Sequence, residues 1–471
     1  ILRKLDWHVL PPLSLLWLAN FIDRSNVGNA RIAGLQTDTK LHGNQFNIVL
    51  TVFYITYLVV EVPSNLVMKK VGPNIWIPLL VCLWGAITTL TALVNNFGGL
   101  IAIRLFLVLE LHRLLYSRLP PTKVLYLSTI YKPHELQLRV GIFYASASLS
   151  GAFGGLLATA ILSMDGIGNL AGWKWIFVLE GLATVLCGLI AAFILPRSIA
   201  EARFLSEEEK EFAQKEETNV YVVEQTDEEK PVRMMDEQFE WREVVRGLTD
   251  LQTHLTGWAY FGILVSLYSF SLFLPTIIAG LNFTGKEAQL HTVPPYVPAT
   301  VLTGYDRFKL RGPFVLICLP FSIASFIQPD LPLQCSFALS RYGAVFLIAA
   351  GVYPSVPGIL SILPNNGSGY YKRATTTALQ LAIANSGGFV ATNIYTTDQA
   401  PTYKRGHSIV LAFLLLSWVL TALNVWYCMR QNKARAEGRQ QGNIKAYEEL
   451  WTTGKTRAPI GDRHPDFRFT L

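Results

Sequence analysis

Two long apolar blocks flank a strongly charged stretch in this chain, and that layout restricts the fold more than any single motif does. Residues 8–195 and 248–430 are mostly apolar segments, many of them near the roughly 20 residues that a helix needs to cross a bilayer. Between them, residues 196–247 carry 15 of the chain's 33 acidic residues, from Glu201 to Glu243. Only 15% of the 471 residues are charged, against about a quarter in soluble domains. Too little polar surface remains to cover a water-soluble globule. The expected architecture is therefore all-α and integral to the membrane. Two helical bundles span 1–195 and 248–430, joined by a solvated linker over 196–247 and followed by a polar tail over 431–471.

The net charge of +7 does not point to nucleic acid, because outside the linker the basic residues sit in short loops between apolar runs. The five cysteines (Cys82, Cys187, Cys318, Cys335, Cys428) are scattered singly, so neither a disulfide framework nor a metal site is expected. No cofactor is indicated. The eight histidines are dispersed, which argues against a membrane-embedded enzyme. The chain starts at Ile1 rather than Met and is expected to lack its first residues; the apolar run from Val9 has no small-residue cleavage site, so no signal peptide is expected.

Spanning helices are expected near 8–28, 46–68, 75–94, 98–118, 138–162 and 173–195 in the first block. In the second they are expected near 252–280, 290–304, 313–328, 338–363, 374–396 and 407–430, about twelve in all. Basic residues concentrate at Lys69-Lys70, Lys132/Arg139, Arg307/Lys309/Arg311, Lys372-Arg373 and the tail from Arg430. That bias places both termini and the linker in the cytoplasm, with Arg31, Lys40, Lys404 and Arg405 running against it. Lys69-Lys70-Val71-Gly72-Pro73 and the stretch Asp306-Arg307 to Gly312-Pro313 form a basic-Gly-Pro turn at the same point of each block. This weak internal repeat fits a duplicated six-helix unit.

Ionisable residues inside spanning segments are costly and mark candidate sites. Asp23 and Arg24 close the first apolar run; as neighbours about 100° apart on a helix they cannot share a face. Arg104 stands inside the fourth segment, where a guanidinium needs an anionic partner; Glu110 is the nearest carboxylate on the same helix. Glu61 and Glu180 are further intramembrane carboxylates near segment ends, read as structural or gating groups. Among uncharged residues, Tyr144 and Asn385 are candidates to line a cavity. The linker charges are read as a solvated face.

Several runs together resemble the major facilitator superfamily: Leu5-Asp6-Trp7, Asp23-Arg24-Ser25-Asn26-Val27-Gly28-Asn29, Glu61-Val62-Pro63-Ser64-Asn65, and Gly172-Trp173-Lys174-Trp175 through Glu180-Gly181. More narrowly, they resemble its fungal anion:cation symporter branch, which includes nicotinic acid and allantoate permeases. The superfamily's loop motif after the second helix usually reads Gly-xxx-Asp-Arg-x-Gly-Arg. Here Asn65 and Lys69 replace the Gly and Asp, while Lys70 and Gly72 are retained.

The resemblance implies a monomeric transporter in a fungal plasma membrane that imports a small organic monocarboxylate such as nicotinate together with protons. Arg24 and Arg104 would grip the carboxylate, with Tyr144 and Asn385 lining the site. Asp23 and Glu110 would carry the proton. Glu61, Lys69, Lys70, Gly72, Glu180, Asp306 and Arg307 would gate or brace. An allantoate, ureide or other vitamin-acid permease shares these requirements, as does a nutrient sensor that keeps the fold without flux. Two departures stand out. Glu110 follows Arg104 by six residues instead of the family's seven, about 120° around the helix. The apolar run ending at Thr303 is also too short to span.

Overall fold

The computed structural model describes residues 2–54, 73–113, 146, 149–196, 202, 204–212, 240–281, 283, 285–304, 311–327, 337–367, 369–400, 403–454, 456 and 460–471. Within these the protein is helical, with no strand. The N-terminal part comprises α1 (Leu2–Ala30), α2 (Gln45–Tyr54), α3 (Pro73–Leu90), α4 (Phe97–Arg113), α5 (Leu149–Met164) and α6 (Gly172–Ile194). After the short α7 (Trp241–Thr249) come α8 (Leu251–Ala279), α9 (Gly285–Leu290), α10 (Tyr296–Gly304), α11 (Arg311–Ile327), α12 (Phe337–Leu360), α13 (Tyr370–Asn393), α14 (Lys404–Ala436) and α15 (Gly442–Thr452). Among the described residues, five helices are long and apolar enough to cross a membrane: the α3 region, α6, α8, the α12 region and α14.

Local chemistry sets the helix ends. Asn96 caps α4 by accepting the Gly99 amide through Oδ1 at 2.7 Å, and Asp165 does the same for the Gly172 amide at the start of α6. Such side-chain acceptors satisfy amides that a helix N-terminus leaves unpaired. Asp250 caps α8 through the Gln252 amide at 2.9 Å. At the far end of α1 a π turn over Arg31–Leu35 contains Gly34 at φ +108°, a conformation that glycine adopts without Cβ strain.

The helix expected over 290–304 begins only at Tyr296, and a separate short helix precedes it. α9 ends at Leu290 and α10 begins at Tyr296, with Pro294 and Pro295 between them. Proline offers no amide and disfavours helical geometry at the residue before it, so two in succession break the run. At 1.5 Å per residue, the nine residues of α10 rise about 14 Å.

Packing within the N-terminal helices depends on small residues. A Cβ on Gly85 of α3 would lie 2.6 Å from the Gly181 carbonyl of α6, and one on Gly181 would lie 2.7 Å from the Gly85 carbonyl. In a lipid setting such close backbone approach is what holds helices together. In the C-terminal part α8 is the hub, packing on α13, α14, α12 and also α1.

The two sets of helices meet at the end of the molecule away from the linker. There Asn47 donates to the Tyr395 carbonyl at 3.1 Å, Thr51 and Thr392 hydroxyls lie 2.9 Å apart, and Asn393 donates to Thr51 at 3.0 Å. Gln289 reaches the Asn29 carbonyl at 3.4 Å. Gly28 lets α1 approach α8 so closely that a Cβ would sit 2.5 Å from the Leu272 carbonyl.

At the opposite end the polar tail turns back onto the helices. Lys372, at the start of α13, is buried and pairs with Asp250 and Asp462 at 2.6 Å each. Asp462 also meets Arg246 of α7 at 3.4 Å, and Arg246 pairs with Glu243 at 2.6 Å. Arg435 donates to the carbonyls of Asp462 and Phe467, at 2.7 and 2.8 Å. Asn432 exchanges two hydrogen bonds with the Phe469 backbone, and Asn366 does the same with Thr470. Lys372, expected in a basic loop, is therefore the centre of a buried ion cluster, and the tail is an integral strap.

Removing one partner of a buried ion pair costs about 3–5 kcal/mol, because the remaining charges stay unmatched. An exposed pair contributes about 0–1 kcal/mol. Lys372→Ala is accordingly expected to lower the thermal midpoint of the purified protein markedly. Lys4→Ala, which breaks the surface pair with Glu209, leaves it nearly unchanged. Equal effects would contradict this view of the strap.

Candidate functional site

A narrow cavity lies among the N-terminal helices against α8. Its polar groups are Asp23 of α1, Arg104 of α4, and Thr88 and Thr91 beside the end of α3. Its walls are aromatic: Phe53, Tyr54, Trp84 and Phe177. Asp23 and Arg104, singled out from sequence, are thus brought together in one space.

Both charges are almost fully buried, Asp23 at 5% and Arg104 at 7% exposure. They attract one another electrostatically. Asp23 Oδ2 accepts from the Thr184 hydroxyl of α6 at 3.4 Å, while its Oδ1 has no hydrogen-bond partner among the described residues. Arg104 Nε is likewise unpartnered there, and its guanidinium lies 5.8 Å from the centre of the Phe53 ring, within cation–π range. A planar cation with a spare donor over an aromatic wall suits a flat anion: the guanidinium fork matches a carboxylate, and the rings match an apolar body. Asn26, one turn beyond Asp23 on α1, is fully buried with both side-chain polar atoms unpartnered among the described residues.

The other candidates fall elsewhere. Arg24 and Glu110 lie within α1 and α4, but their side chains are outside the described residues, as are Tyr144, Glu61, Lys69, Lys70, Gly72, Asp306 and Arg307. Asn385 of α13 does not line the cavity; its Oδ1 accepts from the Tyr268 hydroxyl at 2.9 Å. It touches the site at one remove, since the Tyr268 ring lies 5.1 Å from that of cavity-lining Tyr54. Glu180 of α6 is buried four residues before Thr184, and neither carboxylate oxygen has a hydrogen-bond partner among the described residues.

Sequence reasoning missed the aromatic wall. A signal existed in α3, where Trp84, Thr88 and Thr91 recur at helical spacing and present one semi-polar stripe within an otherwise apolar run. Phe53 and Tyr54 carry no such mark, because aromatics in a spanning helix usually pack.

A buried, charged, partly aromatic cavity among apolar helices of spanning length defines a secondary transporter of small substrates, a multi-pass membrane protein and not an enzyme. The family model for the Major Facilitator Superfamily matches residues 13–422, and the chain belongs to that superfamily. It is 39% identical over its whole length to an uncharacterized transporter of Schizosaccharomyces pombe, covering 90% of that protein. It is 33% identical, again over its whole length, to an MFS-type transporter of Penicillium expansum, with 90% of that protein covered. A high-affinity nicotinic acid transporter of Saccharomyces cerevisiae is 30% identical over the whole chain and 84% of its own length.

Among solved structures, a bacterial homologue of the human lysosomal transporter Spinster superposes with a TM-score of 0.61 at 15% identity, covering 89% of this chain and 96% of that one. The xylose transporter of E. coli gives 0.59 at 11% identity, over 88% and 96%. At such identities these likenesses speak for the fold, which is the all-α major facilitator fold.

Tyr54 connects the cavity to the seal between the helix sets, because its ring lies flat against Gly388 of α13. A Cβ there would fall 2.1 Å from the ring. Gly388→Ala is expected to displace Tyr54 and loosen the Thr51–Thr392–Asn393 seal. A cysteine placed at Thr392 then reacts with maleimide faster in the Gly388→Ala background than in the parent; an unchanged rate would mean that the ring contact does not hold the seal.

Proposed function

We propose that this protein imports a small organic monocarboxylate such as nicotinate together with protons. The observation that carries this reading is the shared burial of Asp23 and Arg104 in one aromatic-walled cavity. Arg104, with Arg24, clamps the substrate carboxylate, and the aromatic wall holds the ring. Asn385 acts through Tyr268 and Tyr54, and Tyr144 completes the lining. Asp23 carries the proton, with Glu110 as its partner on α4. The 30% identity with a nicotinic acid transporter over the full chain supports this substrate class.

The remaining assignments follow from sequence. Helices in 1–195 and 248–430 form two six-helix bundles that rock about the site, joined by a linker over 196–247 and followed by a tail from 431. Positive-inside bias orients both termini toward the cytoplasm of a fungal plasma membrane, with the protein acting as a monomer. Glu61, Lys69, Lys70, Gly72, Asp306 and Arg307 gate or brace the loops after the second helix of each bundle, and Glu180 belongs to the same supporting set. With the termini cytoplasmic, the seal formed by Asn47, Thr51, Thr392 and Asn393 closes the outer side, and the cavity is reached from within.

Uptake of labelled nicotinate by cells expressing the chain tests this reading. Arg24→Ala abolishes uptake at unchanged membrane abundance. Arg104→Lys keeps the charge but loses the planar fork; the expected cost is about 2 kcal/mol, which raises the half-saturating concentration roughly thirtyfold. Asp23→Asn removes the pH dependence of accumulation. Near-parental kinetics in the arginine variants would exclude the clamp.

A further inference from the structure

We infer that Glu180 is a proton-carrying carboxylate of the transport cycle, forming a proton-sharing pair with Asp23. The inference rests on the proton-coupled reading of the same cavity and extends it to a residue that sequence placed among structural groups.

The geometry starts from the antiparallel packing of α6 on α1. Near the sealed end, Gly34 at the close of α1 faces Trp173, and deeper in the bundle Asp23 receives the Thr184 hydroxyl. These two contacts fix one register, which brings residues 26 and 27 opposite Glu180. Glu180 and Thr184 are four apart and so share a face of α6. The two carboxylates therefore sit about one helical turn apart along the α1–α6 seam, close enough to repel one another.

A purely structural buried glutamate needs partners. Burying a carboxylate without hydrogen bonds costs several kcal/mol, and such groups are paired, hydrogen-bonded or protonated. Glu180 is 6% exposed, and neither Oε1 nor Oε2 has a hydrogen-bond partner among the described residues. Both polar atoms of Asn26 are open in the same seam, while the Trp84 indole faces the Asp23 carboxylate. A proton on Glu180 removes its charge and turns one of its oxygens into a donor, which a single open acceptor of the seam can take.

Among the described residues, few other charges face Glu180 from the elements packed on α6. Asp23 is the titratable group that α1 presents to it; the side chain of Arg24 is outside the described residues. The only titratable residue of α3 is Cys82, whose Sγ lies against Gly188, two turns further along α6. In the turn after α1, Arg31 is engaged with Gln36 and stacked on Phe46. Asp38 and Asp165 bind the Trp173 indole and the Gly172 amide at the start of α6. Arg104 is the cation across the cavity, attracted to Asp23.

Charge accounting then links anion and proton. Two carboxylates in one low-dielectric site share protons instead of both ionising. With one proton, the pair carries a single negative charge that Arg104 balances. A substrate carboxylate that engages Arg104 takes away that balance, and the pair draws a second proton from the solution on the open side. When the cavity changes sides, anion and proton leave together, the substrate to its new compartment and the proton to the water there.

The experiment is an infrared pH titration of the purified full-length protein, following the carbonyl band of protonated carboxyl groups, for the parent and for Glu180→Gln, Glu180→Asp and Asp23→Asn. The inference expects a titrating band that is lost in Glu180→Gln, kept but moved along the pH axis in Glu180→Asp, and moved likewise in Asp23→Asn. A band unaffected by Glu180→Gln overturns it. Should the Gln variant not be recovered, Glu180→Asp decides: a moved titration supports the inference, an unmoved one overturns it. In cells, pH-driven accumulation of labelled nicotinate is lost in Glu180→Gln while exchange of labelled for unlabelled nicotinate persists; parental accumulation overturns the inference. If the parent itself fails to take up nicotinate, the proposed substrate falls, whereas the infrared result still judges Glu180.

Discussion

Ionisable groups held inside apolar helices are the constraint on which the rest of this structure depends. Asp23, Arg104 and Glu180 are each more than nine-tenths buried, in a chain whose spanning segments offer little polar surface to solvate them. A bilayer interior does not tolerate such charges unless they face one another or a water-filled space. The bundle answers by arranging α1, α3, α4 and α6 around a cavity, and by supplying an aromatic wall that a flat apolar ligand can replace water against.

Packing around that cavity is polarised. At one end, small residues and hydroxyls bring α1 onto α8 and α2 onto α13, with Gly28 and Gly388 giving the closest approaches. At the other end, the tail binds helix termini of the C-terminal part through Lys372, Asn366, Asn432 and Arg435. Among the described residues the seal includes the hydrogen bonds of Asn47, Thr51, Thr392 and Asn393 and the contact of the Tyr54 ring with Gly388. The strap is a buried network of charges, of a kind that does not exchange easily.

Much of this was legible in the sequence because apolar length is a strong signal. The segments expected at 173–195 and 252–280 appear as Gly172–Ile194 and Leu251–Ala279, and Asp23 with Arg104 stood out as costly charges. What escaped was information carried by contacts distant in the chain. The tail reads in sequence as a polar segment too short in apolar length to span, since nothing local announces that Asp462 will meet Lys372 across 90 residues. The late start of α10 at Tyr296 is announced locally by Pro294-Pro295. The aromatic wall was hidden because Phe53 and Tyr54 look the same in a sequence whether they face a cavity or a neighbouring helix. Asn385 is not among the cavity's lining residues and accepts from the Tyr268 hydroxyl, a long-range contact that no local pattern announces.

The most direct measurement is uphill accumulation of labelled nicotinate by proteoliposomes containing the full chain, under an imposed pH gradient, acidic outside. Proton-coupled carriage through the Asp23–Arg104 cavity predicts accumulation above the external concentration, collapsing when a protonophore dissipates the gradient. Equilibration without accumulation, unaffected by the protonophore, would contradict it.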